Sequence, residues 1–254
     1  MKAKIVIPTY NRSEGLLGVR YFGEHAQWVL PQSQLDQYSE VLTKEQMIVI
    51  PDSEDGNIAR KRNWILNNIP RPFVMIDDDV RHVSAMQGRV ADKDYTPYIK
   101  VSIETFVEFI EQAFDMTEQI GAKMWGVAYK PDEREYREFQ PFNLTKPVLG
   151  PLTGHLDHPL MYDEEMGAKD DYDMALQQLQ MYKMLVRFNY MAYDCEHGDN
   201  AGGIVSMRTM KSEIDDCKRI MMKWGKEVIA YTLPPKKMVH LLNPSHVTVP
   251  IKGI

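Results

Sequence analysis

Four apolar residues, Phe73 to Ile76, run without interruption into three aspartates, Asp77, Asp78 and Asp79. A run this short and this apolar fits a strand buried on both faces, as in a parallel sheet covered by helices. Three carboxylates crowded directly after such a strand are too costly without a compensating charge. A hard divalent cation supplies one. Side chains alternate along extended backbone, so Asp77 and Asp79 face one side and Asp78 the other. A solvated acidic turn is the plainer alternative.

Two further β-branched runs, Lys4 to Pro8 and Met47 to Pro51, also end in proline and fit buried parallel strands whose ends open into loops. Between the second and third runs, Asn57 can cap a helix in which Ile58, Ile65 and Ile69 recur near helical spacing while Arg60, Lys61 and Arg62 stay polar. Strand, helix, strand is a βαβ unit. Ser102 caps a second helix with Ile103, Phe106, Val107, Ile110, Phe114 and Ile120 on one face and Gly121 at its close. Lys123 to Tyr129 reads as the next strand. Residues 130–165, broken by five prolines, read as an irregular excursion in which His155 and His158 face the acceptor side. A helix is expected from about Tyr172, carrying Ala175, Leu179, Tyr182 and Val186 on one face. Another spans Lys211 to Trp224, with Ile214, Cys217, Met221 and Trp224 in register.

The 254 residues, 44% of them apolar, allow a sizeable core, and one domain over 1–254 is the default reading. No stretch is apolar for long enough to span a bilayer, and the two cysteines, Cys195 and Cys217, lack the spacing of a zinc site. A cytoplasmic protein without membrane contact is expected. The net charge of −6 argues against nonspecific coating of nucleic acid. Residues 205–254 nevertheless carry nine Lys or Arg against four acids, so any nucleic-acid contact is expected toward the C-terminus.

Pro8, Thr9, Tyr10, Asn11 and Arg12 follow the first strand, at the crevice where open α/β sheets hold ligands, and suit a nucleotide. Asp52 can accept hydrogen bonds from a base, and Arg60 and Arg62 can meet a diphosphate. A turn residue and a solvated helix residue are the plainer readings. The dinucleotide glycine pattern, the P-loop and the nucleophile elbow are absent.

The first strand with its Pro-Thr-Tyr-Asn-Arg end, the segment with Ala59, Arg60 and Asn63, and the strand ending in three aspartates together resemble the nucleotide-sugar half of GT-A glycosyltransferases. The whole pattern, including Gly18 to Pro31, is most similar to the TET-associated glycosyltransferases, encoded largely by bacteriophages and linked to sugar transfer onto 5-hydroxymethylpyrimidines in DNA. The resemblance implies an α/β, Rossmann-like fold with a mixed, mostly parallel sheet, a nucleotide-sugar half over 1–129 and an acceptor half over 130–254. It implies Mn2+ or Mg2+ held by Asp79 and Asp77, with His197 as a further ligand, and Asp77 and Asp78 directed toward ribose and sugar. Asp170 and Asp171 stand where inverting members carry a Glu-Asp pair. Asp171 therefore matches the catalytic base, and Asp173 is the reserve, since Asp170 departs from the usual Glu.

The expected activity is metal-dependent, inverting transfer from a nucleotide sugar, a UDP-sugar by preference, to 5-hydroxymethylcytosine or a related base in double-stranded DNA, in the host cytoplasm if phage-encoded. Lys218, Arg219 and Lys223, on the side of their helix away from Met221 and Trp224, are the candidate DNA contacts, with a solvated helix face as the alternative. A polysaccharide or protein acceptor is the rival reading, and an inactive GT-A module for DNA binding or assembly is another. A nucleotidyltransferase would show a glycine-rich turn after the first strand, which is missing here.

Overall fold

The computed structural model of the chain describes residues 3–86, 98–129, 139–167, 169–195, 210–226, 230–232 and 246–248. The three expected runs become β1 (Lys4–Pro8), β3 (Met47–Ile50) and β4 (Phe73–Ile76), and an unexpected strand, β2 (Ala26–Pro31), joins them in the parallel order β3-β2-β1-β4. Alternation sends Ile5, Ile7, Val74 and Ile76 into the core on one face, and Val6, Phe73 and Met75 into the core on the other. The first face is covered by α1 (Val19–Phe22), α2 (Leu35–Ser39) and α4 (Ile103–Gln119). The second is covered by α3 (Ile58–Asn68) and α5 (Asp170–Tyr182).

The caps are those the sequence marks. Asn57 accepts a hydrogen bond from the Arg60 N–H at 2.9 Å, Ser102 accepts one from the Thr105 N–H at 3.2 Å, and Gly121 leaves α4 at a φ of 82°.

Beyond β4 the same sheet continues through β9 (Leu152–His155), β7 (Met124–Ala128), β10 (Val186–Cys195), β5 (Val80–Met86) and β6 (Tyr98–Lys100), with β8 (Phe142–Asn143) beside β10. β7 and β10 pair parallel, whereas the pairs made by β9, β5, β6 and β8 are antiparallel. The result is one mixed ten-stranded sheet in an α/β fold consistent with GT-A. A separate pair, β11 (Ala230–Thr232) and β12 (His246–Thr248), lies apart from it.

Three expectations are corrected. The stretch 130–165 is not wholly an irregular excursion, because β9 inserts between β4 and β7 near the middle of the sheet. There Gly154 makes room for a neighbour: a Cβ at this position would lie 2.1 Å from the Trp125 indole. His155 and His158 consequently do not face an acceptor. Both are buried, with His155 against the Phe73 ring and its Nδ1 3.1 Å from His158 Nε2. Burial lowers the pKa of both, that of His158 to about 4, so each imidazole is neutral near pH 7. The helix expected to carry Val186 stops at Tyr182, where Lys183 adopts a φ of 64°, and Val186 opens β10 instead.

α6 (Met210–Trp224) packs Cys217 and Ile220 against Met166 and Leu176, with Met221 and Trp224 alongside. Cys195 and Cys217 are free thiols.

Candidate active site

One end of the sheet gathers the C-terminal ends of β1, β4 and β10, the start of β5, and the N-terminal ends of α3 and α5. Asp77, Asp78 and Asp79 form the turn from β4 to β5, closed by a hydrogen bond from the Val80 N–H to the Asp77 carbonyl at 3.2 Å. Because these residues turn rather than continue the strand, the alternation expected of extended backbone does not apply, and Asp77 and Asp78 are told apart by their partners. Asp78 is buried toward β1, where it pairs with Arg12 and accepts a hydrogen bond from Thr9 Oγ1 at 2.7 Å. Tyr38 completes that network: its hydroxyl lies 2.7 Å from Thr9 Oγ1 and accepts from the Arg12 N–H at 3.0 Å.

Asp77 turns instead to Arg62, whose guanidinium bridges Asp77 Oδ1 and Asp170 Oδ2, each at 2.7 Å. The sequence puts Arg62 on a polar helix face, yet it is buried, and so is Lys61, which pairs with Asp55 at 2.9 Å and donates to the Thr9 carbonyl. Acidic partners make this burial tolerable. The Arg62 guanidinium also lies 5.4 Å from the Tyr162 ring. Asn63 holds the Tyr162 backbone in place, accepting from its N–H at 2.8 Å and donating to its carbonyl at 3.0 Å.

Asp79 and Asp171 make no ion pair among the described residues. Asp79 has its Oδ1 buried without a hydrogen-bond partner. Burial, reinforced by Asp77 and Asp78, pushes its pKa up to about 7. Asp171 is half-buried at the first turn of α5, and its Oδ2 accepts from the Gly150 N–H at 3.0 Å. A Cβ at Gly150 would stand 3.1 Å from Arg62 Nη2 and 3.4 Å from Asp171 Oδ2, so the glycine permits the close approach that holds this carboxylate.

Asp173, by contrast, is fully buried and accepts from Lys223 at 2.9 Å, Gln177 at 2.7 Å and Trp224 Nε1 at 2.7 Å. Both of its oxygens dock α6 onto α5.

The remaining expected donor-site residues fall around the same end. Pro8 is buried in β1, Tyr10 is 43% exposed at the mouth with the Lys61 ammonium 5.5 Å from its ring, and Arg60 is exposed on α3. Asp52 is exposed past β3 and tied to Ser33, whose N–H and hydroxyl both donate to its Oδ1. A divalent cation fits the donor set by the orphaned Asp79 oxygen and its unneutralised charge. Among the described residues no ready-made group of three His, Cys, Asp or Glu ligands is assembled.

The family model of the TET-associated glycosyltransferases matches residues 3–203. The chain belongs to this family. It is therefore a glycosyltransferase, which takes a nucleotide-sugar donor and an acceptor. No individually curated protein matches the chain. Among the described residues of this TET-associated glycosyltransferase, no helix is long and apolar enough to cross a membrane.

The C-terminal cations expected as DNA contacts each lie near an acid of the same chain. Arg219 pairs with Glu165 and lies 3.8 Å from Asp163, while Lys223 pairs with Asp163 at 3.2 Å and with Asp173. Both fasten α6 to the loop before α5. Lys218 is exposed and lies 3.6 Å from Asp215. His197 falls outside the described residues, two positions beyond Cys195, whose thiol pKa is raised by burial and by the nearby Asp79 and Asp77. Sequence reasoning missed Lys61, Tyr38, Gly150 and Tyr162. Only the Gly150-Pro151 pair carried a local signal, that of a turn.

Proposed function

We propose that this TET-associated glycosyltransferase is an inverting, metal-dependent enzyme that moves a sugar from a UDP-sugar onto 5-hydroxymethylcytosine, or a related 5-hydroxymethylpyrimidine, in double-stranded DNA. The observation that carries the donor half is the pair of carboxylates without cationic partners, Asp79 and Asp171, at one end of the sheet. Asp79, with Asp77 beside it and His197 as the further candidate, would hold Mn2+ or Mg2+. When bound, the cation neutralises charge on the departing nucleoside diphosphate.

The chain's own residues account for the rest. Asp171, oriented by the Gly150 N–H, takes the proton from the acceptor hydroxymethyl group. The freed oxygen attacks the anomeric carbon as the bond from that carbon to the diphosphate oxygen breaks, and the configuration inverts. Arg62 engages one oxygen each of Asp77 and Asp170, so that Asp171 is the carboxylate at the start of α5 with no cation in contact. Exposed Tyr10 offers a ring face to the base of the donor, and exposed Arg60 a cation to its phosphates.

A DNA acceptor is supported by the family's association with TET and agrees with a cytoplasmic enzyme. The test is mass spectrometry of nucleosides after hydroxymethylated and plain DNA are incubated with a panel of nucleotide sugars, with and without Mn2+. A hexose or pentose mass added only to hydroxymethylated pyrimidine, and lost in Asp171→Asn, is expected. Transfer to a polysaccharide or protein but to no DNA would replace the acceptor.

A further inference from the structure

An open cleft of about 520 Å3 lies at the same end of the sheet but on its α4 face, at the start of β5. Its cations are Arg20 of α1, Arg81 of β5 and Lys100 at the end of β6, and His82, 3.7 Å from Asp194, also lines it. Glu104 is the one acid in the lining, and it is turned to the N-terminus of α4, where hydrogen bonds from its own backbone N–H and from Ser102 hold its carboxyl below the usual range.

The cleft is built rather than incidental. Gly18 lets α1 approach the first residue of β5: a Cβ there would lie 2.8 Å from the Val80 carbonyl and 2.7 Å from the Phe22 ring. This fixes Arg20 near Arg81. Tyr21, buried edge-on against Phe22 with ring centroids 5.0 Å apart, stands 5.4 Å from the Lys100 ammonium and supports it. Arg81 is only two residues from Asp79, roughly 7 Å along extended backbone.

We infer that this cleft binds a backbone phosphate of the acceptor DNA strand next to the modified base, an inference that rests on the reading of DNA as acceptor. A protein of net charge −6 can hold a polyanion only where its field is locally reversed. The cleft brings three permanent cations together beside the turn that carries Asp79, on the side of β5 and β6, away from the β3-β2-β1-β4 half that receives the donor. Phosphate contacts of this kind fix register without reading sequence, which is what an enzyme needs to present one hydroxymethyl group to Asp171.

The test compares the full-length protein with a triple variant, Arg20→Gln, Arg81→Gln and Lys100→Gln. The control triple, Lys4→Gln, Lys44→Gln and Lys123→Gln, removes the same charge at the opposite ends of β1, β3 and β7. Binding of duplex DNA, transfer kinetics and donor-induced thermal shift are measured for each. In the cleft variant the DNA affinity is expected to fall at least about tenfold, and the slope of log K against log salt to decrease by about 0.9 for each phosphate that is no longer neutralised. The donor shift should be unchanged, and the control triple should show neither effect. Inorganic phosphate should compete for DNA weakly and only in the wild type.

The single variant Lys100→Gln, at an exposed position, should show a partial effect of the same kind, so that a poorly folding triple does not decide the matter. DNA affinity and salt slope equal to wild type in both folded cleft variants would overturn the phosphate site while leaving the acceptor reading intact. A wild type that binds and modifies no DNA at all would overturn the acceptor reading, and the site with it.

Discussion

Asp79 and Asp171 differ from Asp77, Asp78, Asp170 and Asp173 in one respect: the other four each have a cationic side chain in contact. The consequence for Asp79 is a pKa near 7 in the fold, against about 4 in an unfolded chain. Between those values the native state holds more protons than the unfolded one, so its contribution makes stability fall as pH rises and then level off above about 7. Asp79→Asn should therefore raise the melting temperature of the metal-free protein at pH 8, by about 5 °C, and flatten its decline between pH 5 and 7. The same variant should lose the Mn2+-dependent stabilisation by nucleotide. Wild-type behaviour in both measurements would remove Asp79 from the metal site. Asp171→Asn should instead keep donor binding and lose about 10²- to 10⁴-fold in transfer, the usual contribution of a general base. Product with retained configuration would dismiss that role.

At the scale of elements, those with a strong local pattern were legible in the sequence, β7 from Lys123 to Tyr129 among them, whereas β2, β5, β6, β8, β9 and β10 were not. β1, β3, β4, α3, α4 and α6 each announce themselves by a β-branched run or a capped apolar period. β9 does not, because Leu152 to His155 has a single large apolar residue. Its polar members satisfy one another, His155 Nε2 lying 3.0 Å from Thr153 Oγ1, and Gly154 yields its space to Trp125. β10 is hidden because Val186 also fits the helical spacing of α5, and only the positive φ of Lys183 separates them. The acids of the site were legible for the same local reason as β4. Their partners were not, since Arg62 and Asp170 are 108 residues apart in the chain and meet only through the packing of α3 beside α5. Asp173 shows how this decides a role. Read locally it is one more acid at a helix start, whereas in the fold it is the anchor of α6. Asp173→Asn should cost about 2–4 kcal/mol by weakening hydrogen bonds to Lys223 and Trp224, seen as a lowered denaturant midpoint. The fraction that remains folded should still transfer sugar. A stable Asp173→Asn enzyme without activity would return the base assignment to Asp173.

For the molecule as a whole, the family match ends at residue 203, yet the structure beyond it is fastened to the catalytic end. α6 covers Met166 and Leu176 with Cys217 and Ile220, and it closes the charge of Asp163, Glu165 and Asp173 with Arg219 and Lys223. Removing it would expose that apolar cluster and leave Asp173 buried without its cation, an arrangement that typically costs several kcal/mol. β11 and β12 pair only with each other among the described residues, so the main sheet does not depend on them for hydrogen bonds. Two truncations separate these contributions. A chain ending at 226 should keep a cooperative melt and the nucleotide-sugar shift, with any deficit confined to DNA affinity through the cations Lys236, Lys237 and Lys252. A chain ending at 209 should melt at least about 10 °C lower or fail to accumulate in soluble form, and its donor shift should shrink because the start of α5, which carries Asp170 and Asp171, is no longer braced. Equal melting temperatures for the two truncations would show that α6 is dispensable to the catalytic end, and that the contacts of Arg219 and Lys223 with the loop before α5 do not hold it in place.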